Sequence, residues 1–297
     1  MQSHVKTLKA TVQALSEESY CQLTYRDTRY KEALPSAETL KKIVELCRAV
    51  FFPGYLSHTR IDRQMIYYHM GVNVETLYHL LSGQIYAALC FADKAPPCYD
   101  AEQAARKAKS LSESFIASLP ATGGLVNTDV EAIYGNDPAA PNHSEVIFCY
   151  PGVKAMTSYR IAHELFCLDV PFLPRMISEM AHSETGIDIH PGATIGRYFS
   201  IDHGTGVVIG ETSVIGNHVR FFQGVSLTGG EPRLDANGNL IRGIPRHPVV
   251  GDRVTIHSNA TLTGRIHIGE GATICGNVWI TRDVAPGETI SQQTIDH

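Results

Sequence analysis

Aliphatic residues recur at every sixth position in the C-terminal part of the chain. One register runs through Val250, Ile256, Leu262, Ile268, Ile274 and Ile280. The same spacing occurs upstream at Ile189, Ile195 and Ile201 and, after a shift of two residues, at Ile209, Ile215, Phe221 and Leu227. A spacing of six matches neither the 3.6-residue period of a helix nor the alternation of a flat sheet. It is typical of a parallel β-helix, in which three hexads close one triangular coil around a shared aliphatic core.

Residues 1–183 carry helical patterns instead. A helix is predicted over Ala37–Phe51, with Ser36 as its N-cap and Pro53 as its stop. Further helices are predicted over 63–92 (two helices meeting near 71–73), 100–119, 127–134, 151–167 and 174–182. The helix over 100–119 is expected to end at Pro120. Asp137, which precedes a proline, is expected on a turn.

The change of period near Gly186 predicts two domains. An α-helical domain would cover residues 1–185 and a β-helix residues 186–297. Between Leu227 and Val249 the hexads give way to a segment rich in Gly, Pro and Asn, which predicts an irregular insertion at about 228–249. The repeat is lost again from Val284 onward, which predicts a cap and a loose C-terminal tail.

Composition narrows the class of protein. With 43% hydrophobic and 19% charged residues among 297, the chain can bury a core. A net charge of −5 disfavours nucleic acid as the main partner. The absence of a long apolar run and of an apolar N-terminal signal predicts a soluble, cytoplasmic protein. The seven cysteines form no CxxC pair, so buried thiols are expected rather than a disulfide framework or a zinc knuckle.

Three polar clusters interrupt the hexad pattern, at residues 187–191, 201–206 and 246–248. Asp188 and His203 are fifteen residues apart, close to one coil of eighteen, so stacking is expected to bring them side by side. A carboxylate beside an imidazole fixes the tautomer of the ring and makes the histidine a competent general base. The other histidines of the hexads, His218, His257 and His267, are expected to be ordinary surface residues.

Three segments carry a resemblance to a known family. DIHPGATIG (188–196), IDHGTGVVIGE (201–211) and RHP (246–248) resemble the serine O-acetyltransferases, which are hexapeptide-repeat acyltransferases. The similarity extends from about residue 137 to residue 280 and includes GNDPAA (135–140) and YRIAHEL (159–165). The hexads alone indicate only the superfamily, whereas the DIHP and DHxTGVVIGE pair is far more specific. The resemblance implies an α+β chain, with an all-helical N-terminal domain followed by a left-handed parallel β-helix.

The resemblance also implies roles for the residues that match. His203 would take the proton from the serine hydroxyl, and Asp188 would orient the imidazole. The matching substrate contacts are Asp137 and Asp202 for the ammonium group, and Arg246 and His247 for the carboxylate. The hydroxyl would attack acetyl-CoA directly, since no cysteine lies in the three clusters to form an acyl-enzyme.

Acetyl-CoA is the cosubstrate that the resemblance implies, and no metal is expected. It would lie in the groove between neighbouring β-helices, against Gly229, Ser258 and Gly276. Such a groove requires an oligomer, either a homotrimer or a dimer of trimers. L-cysteine is expected as a feedback inhibitor, because it presents the same ammonium and carboxylate groups as L-serine.

The chain departs from the family pattern in three places. The insertion at 231–244 and the region before Asp137 are longer than in the shorter bacterial enzymes. The sequence ends in Ile295-Asp296-His297 rather than in an isoleucine. The complex with O-acetylserine sulfhydrylase is therefore not expected for the chain as given.

Two other enzyme classes and a scaffold stay open at this point. Another hexapeptide acetyltransferase, acting on a sugar or antibiotic hydroxyl, would use the same base but gives no reason for Asp137, Asp202 and Arg246 to converge. A γ-type carbonic anhydrase would bind zinc on three histidines across a subunit interface, with His203 and His218 as conceivable ligands. A purely structural solenoid would gain nothing from the polar clusters.

Overall fold

The computed structural model describes residues 2–17, 34–55, 64–92 and 101–295. Two compact units divide the chain, Met1–Ala33 and Leu34–His297. The described helix of the first unit is α1 (Gln2–Leu15). The helices of the second unit are α2 (Ala37–Phe51), α3 (Ile66–Phe91), α4 (Ala101–Asn136), α5 (His143–Cys149), α6 (Pro151–Cys167), α7 (Leu173–Thr185) and α8 (Gln292–Ile295). In the described part of the chain, no helix has the length and apolar character needed to cross a membrane.

Two helix predictions were confirmed in their bounds and two were wrong. Helices α2 and α6 have the predicted limits, and the hydroxyl of Ser36 accepts from the Thr39 amide at 3.2 Å as an N-cap. The pair of helices expected over 63–92 is the single helix α3 over its described length. The break expected at Pro120 is also absent, because α4 continues through it to Asn136. Burial of one face of α4 in the helical core overrides the weak local propensity.

Fourteen short strands lie between α7 and α8 in the described chain. They are β1 (Asp188–Ile189), β2 (Thr194–Ile195), β3 (Ser200–Ile201), β4 (Val208–Ile209), β5 (Val214–Ile215), β6 (Arg220–Phe221), β7 (Ser226–Thr228), β8 (Val249–Val250), β9 (Thr255–Ile256), β10 (Thr261–Thr263), β11 (His267–Ile268), β12 (Thr273–Ile274), β13 (Trp279–Ile280) and β14 (Thr289–Ile290). All pairings between these strands are parallel.

The strands form three sheets, which are the sides of a left-handed β-helix. Sheet A has the order β1-β4-β7-β10-β13, sheet B β11-β8-β5-β2, and sheet C β14-β12-β9-β6-β3. The hexad aliphatics stack in the interior, from Ile189 to Ile280, as the six-residue period predicts. We call the line of turns from sheet C to sheet A the CA edge, from sheet A to sheet B the AB edge, and from sheet B to sheet C the BC edge.

Coil length varies along the β-helix, and this decides which residues stack. Asp188 pairs with Val208, twenty residues further on, whereas Val208 pairs with Ser226 after eighteen. The extra two residues lie in the turn between β3 and β4, which contains His203. The expectation that Asp188 stacks beside His203 assumed a coil of about eighteen residues, whereas this coil has twenty. The pairing of the two residues stays a prediction.

The insertion lies between β7 and β8, at the AB edge of the third coil. It is largely exposed, and Leu234 and Leu240 form an isolated antiparallel bridge within it. The expectation of a loose tail from Val284 needs correction. Val284 bridges to Ile268, and β14 pairs with β12, so the β-helix continues to Ile290.

Helix α6 joins the helical core to the first coil of the β-helix. Tyr159 belongs to the core of the β-helix, and its hydroxyl donates to the Ala193 carbonyl at 2.6 Å. The Arg160 guanidinium donates to the carbonyls of Ile195 (2.6 Å) and Gly196. On its other face α6 packs in the helical core. The domain division at 185/186 stays a prediction, since helices and strands share one compact unit.

Candidate active site on two edges of the β-helix

The CA edge carries an exposed imidazole beside a fixed carboxylate. Asp202 follows β3, and its Oδ2 accepts from Arg220 Nη2 at 2.9 Å. Its Oδ1 lies 3.7 Å from His203 Nε2. The His203 side chain is 75% exposed and projects from a turn in which its φ is 57°. Arg220 therefore holds the carboxylate in place while the imidazole stays open to a ligand.

Asp137 lies in the same region, directly after α4. Its Oδ2 accepts from the Tyr150 hydroxyl at 2.6 Å, and its Oδ1 accepts from the Ala139 amide at 2.8 Å. The hydrogen bond from Tyr150 is the main cause that lowers the pKa of Asp137, and the same contact raises the pKa of Tyr150 to about 12. Asp137, Tyr150, Asp202 and Arg220 line one small cavity.

Asp188 is not paired with His203 in the described chain. No hydrogen bond or ion pair joins their side chains, and the carboxylate in contact with His203 belongs to Asp202. Asp188 instead has its carboxylate near the side chains of Glu179 and His182, with the potential ligand atoms of the three within 4.8 Å of one another. In sheet A Asp188 pairs with Val208, and His203 lies on the turn that leads to Val208.

The AB edge carries Arg246 and His247, which end the insertion. His247 is only 4% exposed, and its ring lies over Gly210, where a Cβ atom would come within 2.0 Å of the imidazole. Burial is the main cause that lowers the pKa of His247 to about 4, and the charge of Arg246 adds to it. The ring is therefore neutral near pH 7. The exposed Arg246 supplies the positive charge of this edge.

Two of the three residues proposed to contact acetyl-CoA lie together. Ser258 and Gly276 occupy consecutive coils on the CA edge, and a Cβ at Gly276 would lie 3.0 Å from the Ser258 carbonyl oxygen. Gly229 lies on the AB edge, beneath the Arg246 side chain. The structure thus brings Ser258 and Gly276 onto the edge that carries His203 and places Gly229 elsewhere.

Comparisons with known proteins identify the family. Residues 247–282 match the family model described as bacterial transferase hexapeptide (six repeats). A plasmid serine acetyltransferase of Synechococcus elongatus is 44% identical over 293 residues, which are 97% of this chain and 91% of that protein. The chain belongs to the serine acetyltransferase family. The serine acetyltransferase of Mycobacterium tuberculosis is also 44% identical, over 162 residues that cover 54% of this chain and 67% of that protein.

Solved serine acetyltransferases have the same fold. Serine acetyltransferase 1 of Entamoeba histolytica, in complex with L-cysteine, has a TM-score of 0.72 and 33% identity, covering 95% of this chain and 94% of that one. The Neisseria gonorrhoeae serine acetyltransferase in complex with serine has a TM-score of 0.55 and 26% identity, covering 88% of this chain and 98% of that one.

Sequence reasoning missed the partners that hold the candidate site residues in place. Tyr150 and Arg220 fix the carboxylates of Asp137 and Asp202, and Thr212 contacts the His247 ring. Thr212 follows the DHxTGVVIGE segment directly, so it was near a visible signal. Tyr150 and Arg220 lie in hydrophobic contexts where no local pattern marks a polar contact.

The two histidines named for the zinc alternative lie on different edges of the described β-helix. His218 lies on the BC edge, where its ring stacks on Tyr198 with centroids 4.5 Å apart and planes 6° from parallel. His203 lies on the CA edge, so the two rings are on different edges of the chain.

Proposed function

We propose that this serine acetyltransferase uses His203 as the general base for direct transfer of acetyl from acetyl-CoA to the hydroxyl of L-serine. The observation that carries the proposal is the exposed imidazole of His203 next to the fixed carboxylate of Asp202. A serine hydroxyl is a weak nucleophile and needs a base within hydrogen-bond reach. The carboxylates of Asp202 and the nearby Asp137 supply negative charge that suits the ammonium group of an amino acid.

In the proposed reaction the proton of the serine hydroxyl moves to His203 as the oxygen attacks the thioester carbonyl. The tetrahedral intermediate collapses with cleavage of the C–S bond, and the imidazolium returns the proton to the CoA thiolate. The products are O-acetylserine and CoA. Each proton is accounted for by one imidazole, so no second acid is needed.

The substrate anchors lie on two different edges of the chain. Asp202 on the CA edge and Asp137 beside it would bind the ammonium group, and Arg246 and His247 on the AB edge would bind the carboxylate. Both groups of serine are attached to one carbon, so a single molecule cannot reach two edges of the same prism. We therefore assign the site to a homotrimer, with the CA edge of one copy facing the AB edge of the next.

The groove between two such prisms would also hold acetyl-CoA. Ser258 and Gly276 lie along the CA edge in the coils that follow His203, so they would line the groove. Gly229 would contribute from the AB edge of the neighbouring copy. L-cysteine would compete with L-serine for the same anchors. The cytoplasmic location and the absence of a complex with O-acetylserine sulfhydrylase stay predictions.

The decisive experiment measures release of the CoA thiol with acetyl-CoA and L-serine. His203→Ala should lower turnover by about 10² to 10⁴-fold, which is the usual contribution of a general base. His218→Ala is the matched control, since it removes a surface histidine of another edge and should leave turnover near the wild-type value. Near-normal turnover of His203→Ala would refute the mechanism. Faster acetylation of a sugar hydroxyl than of L-serine would refute the substrate.

The same assay decides which carboxylate acts with His203. The structure puts Asp202 in contact with the ring, whereas the family resemblance implies Asp188. Asp202→Asn should lower kcat and raise the KM for serine, because this carboxylate would serve both the ring and the ammonium group. A loss of kcat that is larger in Asp188→Asn would assign the orienting role to Asp188.

A further inference from the structure

Thr212 makes an unusual set of contacts with the segment that carries the proposed carboxylate anchors. It lies on the turn between β4 and β5, one coil before His247. Its Oγ1 accepts from the amides of Arg246 (2.9 Å) and His247 (3.1 Å). A hydroxyl has two lone pairs and one proton, so the proton of Thr212 is left for its third neighbour. That neighbour is Nδ1 of His247, at 2.8 Å.

The contacts of Nδ1 determine the tautomer of His247. The backbone amide of Thr212 also donates to Nδ1, at 3.1 Å. An amide nitrogen can only donate, so Nδ1 must be the unprotonated nitrogen whichever way the hydroxyl turns. In a neutral ring the single proton is then on Nε2. Among the described residues no acceptor is paired with Nε2, so its N–H remains available to a ligand.

The surroundings hold the ring in this orientation. A Cβ at residue 210 would lie 2.1 Å from Nε2, so glycine at this position leaves the ring its place. Nη1 of Arg265 donates to the carbonyls of Thr212 (2.7 Å) and His247 (2.9 Å), which ties the two segments together. Thr212 and His247 therefore form one fixed unit.

We propose that Thr212 is a positioning residue that holds His247 as the Nε2–H tautomer, so that Nε2 donates a hydrogen bond to the carboxylate of the amino-acid substrate. The inference rests on the proposed function of the Arg246–His247 pair. It goes beyond that function, because it names the donor atom and the residue that selects it.

The first test reads the tautomer without any substrate. Full-length protein labelled with ¹⁵N-histidine should show an unprotonated Nδ1 and a protonated Nε2 for the resonance that disappears in His247→Gln. A protonated Nδ1 would overturn the proposal. This readout does not depend on activity, so it can succeed even if the enzyme fails to acetylate serine, in which case only the proposed function falls.

The second test separates positioning from folding by kinetics. Thr212→Val keeps the shape of the side chain but leaves the amides of Arg246 and His247 without an acceptor, and it should raise the KM for L-serine about tenfold. The KM for acetyl-CoA should stay unchanged. Thr212→Ser keeps the hydroxyl and should restore the KM for serine. An unchanged KM in the valine variant, or an equal rise in the serine variant, would contradict the assignment.

A pair of substitutions at His247 tests the donor atom itself. The amide nitrogen of glutamine can occupy the position of Nε2, whereas the shorter asparagine places its amide near Nδ1. His247→Gln should therefore retain more affinity for serine than His247→Asn. The opposite order would show that Nε2 is not the atom that meets the substrate.

Discussion

Among the described ion pairs, the one between Asp129 and Arg160 is the most enclosed. Asp129 lies on α4 and Arg160 on α6, with Nε and Nη2 of the arginine 3.0 and 3.1 Å from the carboxylate oxygens. Asp129 Oδ1 also accepts from the Phe199 amide at 3.2 Å. The pair therefore links both helices to the first coil of the β-helix through hydrogen bonds that satisfy nearly every polar atom.

Loss of one member of this pair should be costly. Arg160→Gln leaves a buried carboxylate without its counter-charge and should lower the free energy of unfolding by about 3–5 kcal/mol, measured by urea denaturation. Arg253→Gln is the matched control, because its partnership with Glu270 is exposed and should contribute less than about 1 kcal/mol. Equal losses in the two variants would show that burial does not decide the contribution.

His247 should make stability depend on pH. Its pKa is about 4 in the folded protein, below the value of 6.5 for a free histidine, so the unfolded chain binds a proton first as pH falls. The contribution of His247 to the free energy of unfolding is complete above pH 6.5 and is lost as the pH falls toward 4. The loss is at most about 1.4 kcal/mol per pH unit. Asp129 has the opposite effect on the free energy of unfolding, because burial raises its pKa to about 6 and the folded protein therefore binds this proton before the unfolded chain does as the pH falls.

A comparison of variants isolates the histidine from other groups. Wild type should lose more stability between pH 7 and pH 5 than His247→Gln does, in urea denaturation at both values. The same pH dependence in the two proteins would mean that the ring is not protected from protonation in the fold.

At the scale of single elements, the hexads were predictable and the helix limits only in part. The aliphatic residue of each hexad is buried in the β-helix, and its position does not depend on the residue types around it. The six-residue spacing alone was therefore enough to predict the β-helix. The continuation of α4 through Pro120 depends on packing against other helices, which the local sequence does not record. His203 contacts Asp202, the residue before it, on a turn that is two residues longer than the other turns of its coil.

Two neighbouring glycines in α4 allow the effect of helix propensity on stability to be compared with the effect of side-chain packing. A Cβ at Gly124 would meet nothing within 4 Å, whereas at Gly123 it would lie 3.0 Å from the Phe51 ring. Gly124→Ala should raise the free energy of unfolding by about 0.5–1 kcal/mol through helix propensity alone. Gly123→Ala gains the same propensity but crowds a buried ring, so it should be clearly less stable than Gly124→Ala. Equal stabilisation by both would show that Phe51 moves aside without cost.

At the scale of the whole molecule, the proposed function requires an active site shared between two chains. The sequence singles out His203 and Arg246 as candidates because each lies in a distinct motif. Their location on different edges could not be predicted, since it follows from which turn of the prism each motif occupies. A closed ring of three copies would make each site from two chains, with one CA edge and one AB edge.

Mixing two inactive variants tests this arrangement. His203→Ala disables every CA edge, and Arg246→Gln disables every AB edge, so each homogeneous protein should be nearly inactive. A site is intact when its CA edge comes from the Arg246 variant and its AB edge comes from the His203 variant. In trimers assembled at random from equal amounts of the two variants, each condition is met with a probability of about one half, so about one quarter of the sites should work. CoA release after co-refolding should therefore recover to about one quarter of the wild-type rate. Mixing without refolding is the control, because intact trimers do not exchange edges. If co-refolded mixtures stay as inactive as their components, each site is built within a single chain, and the two edges serve different purposes.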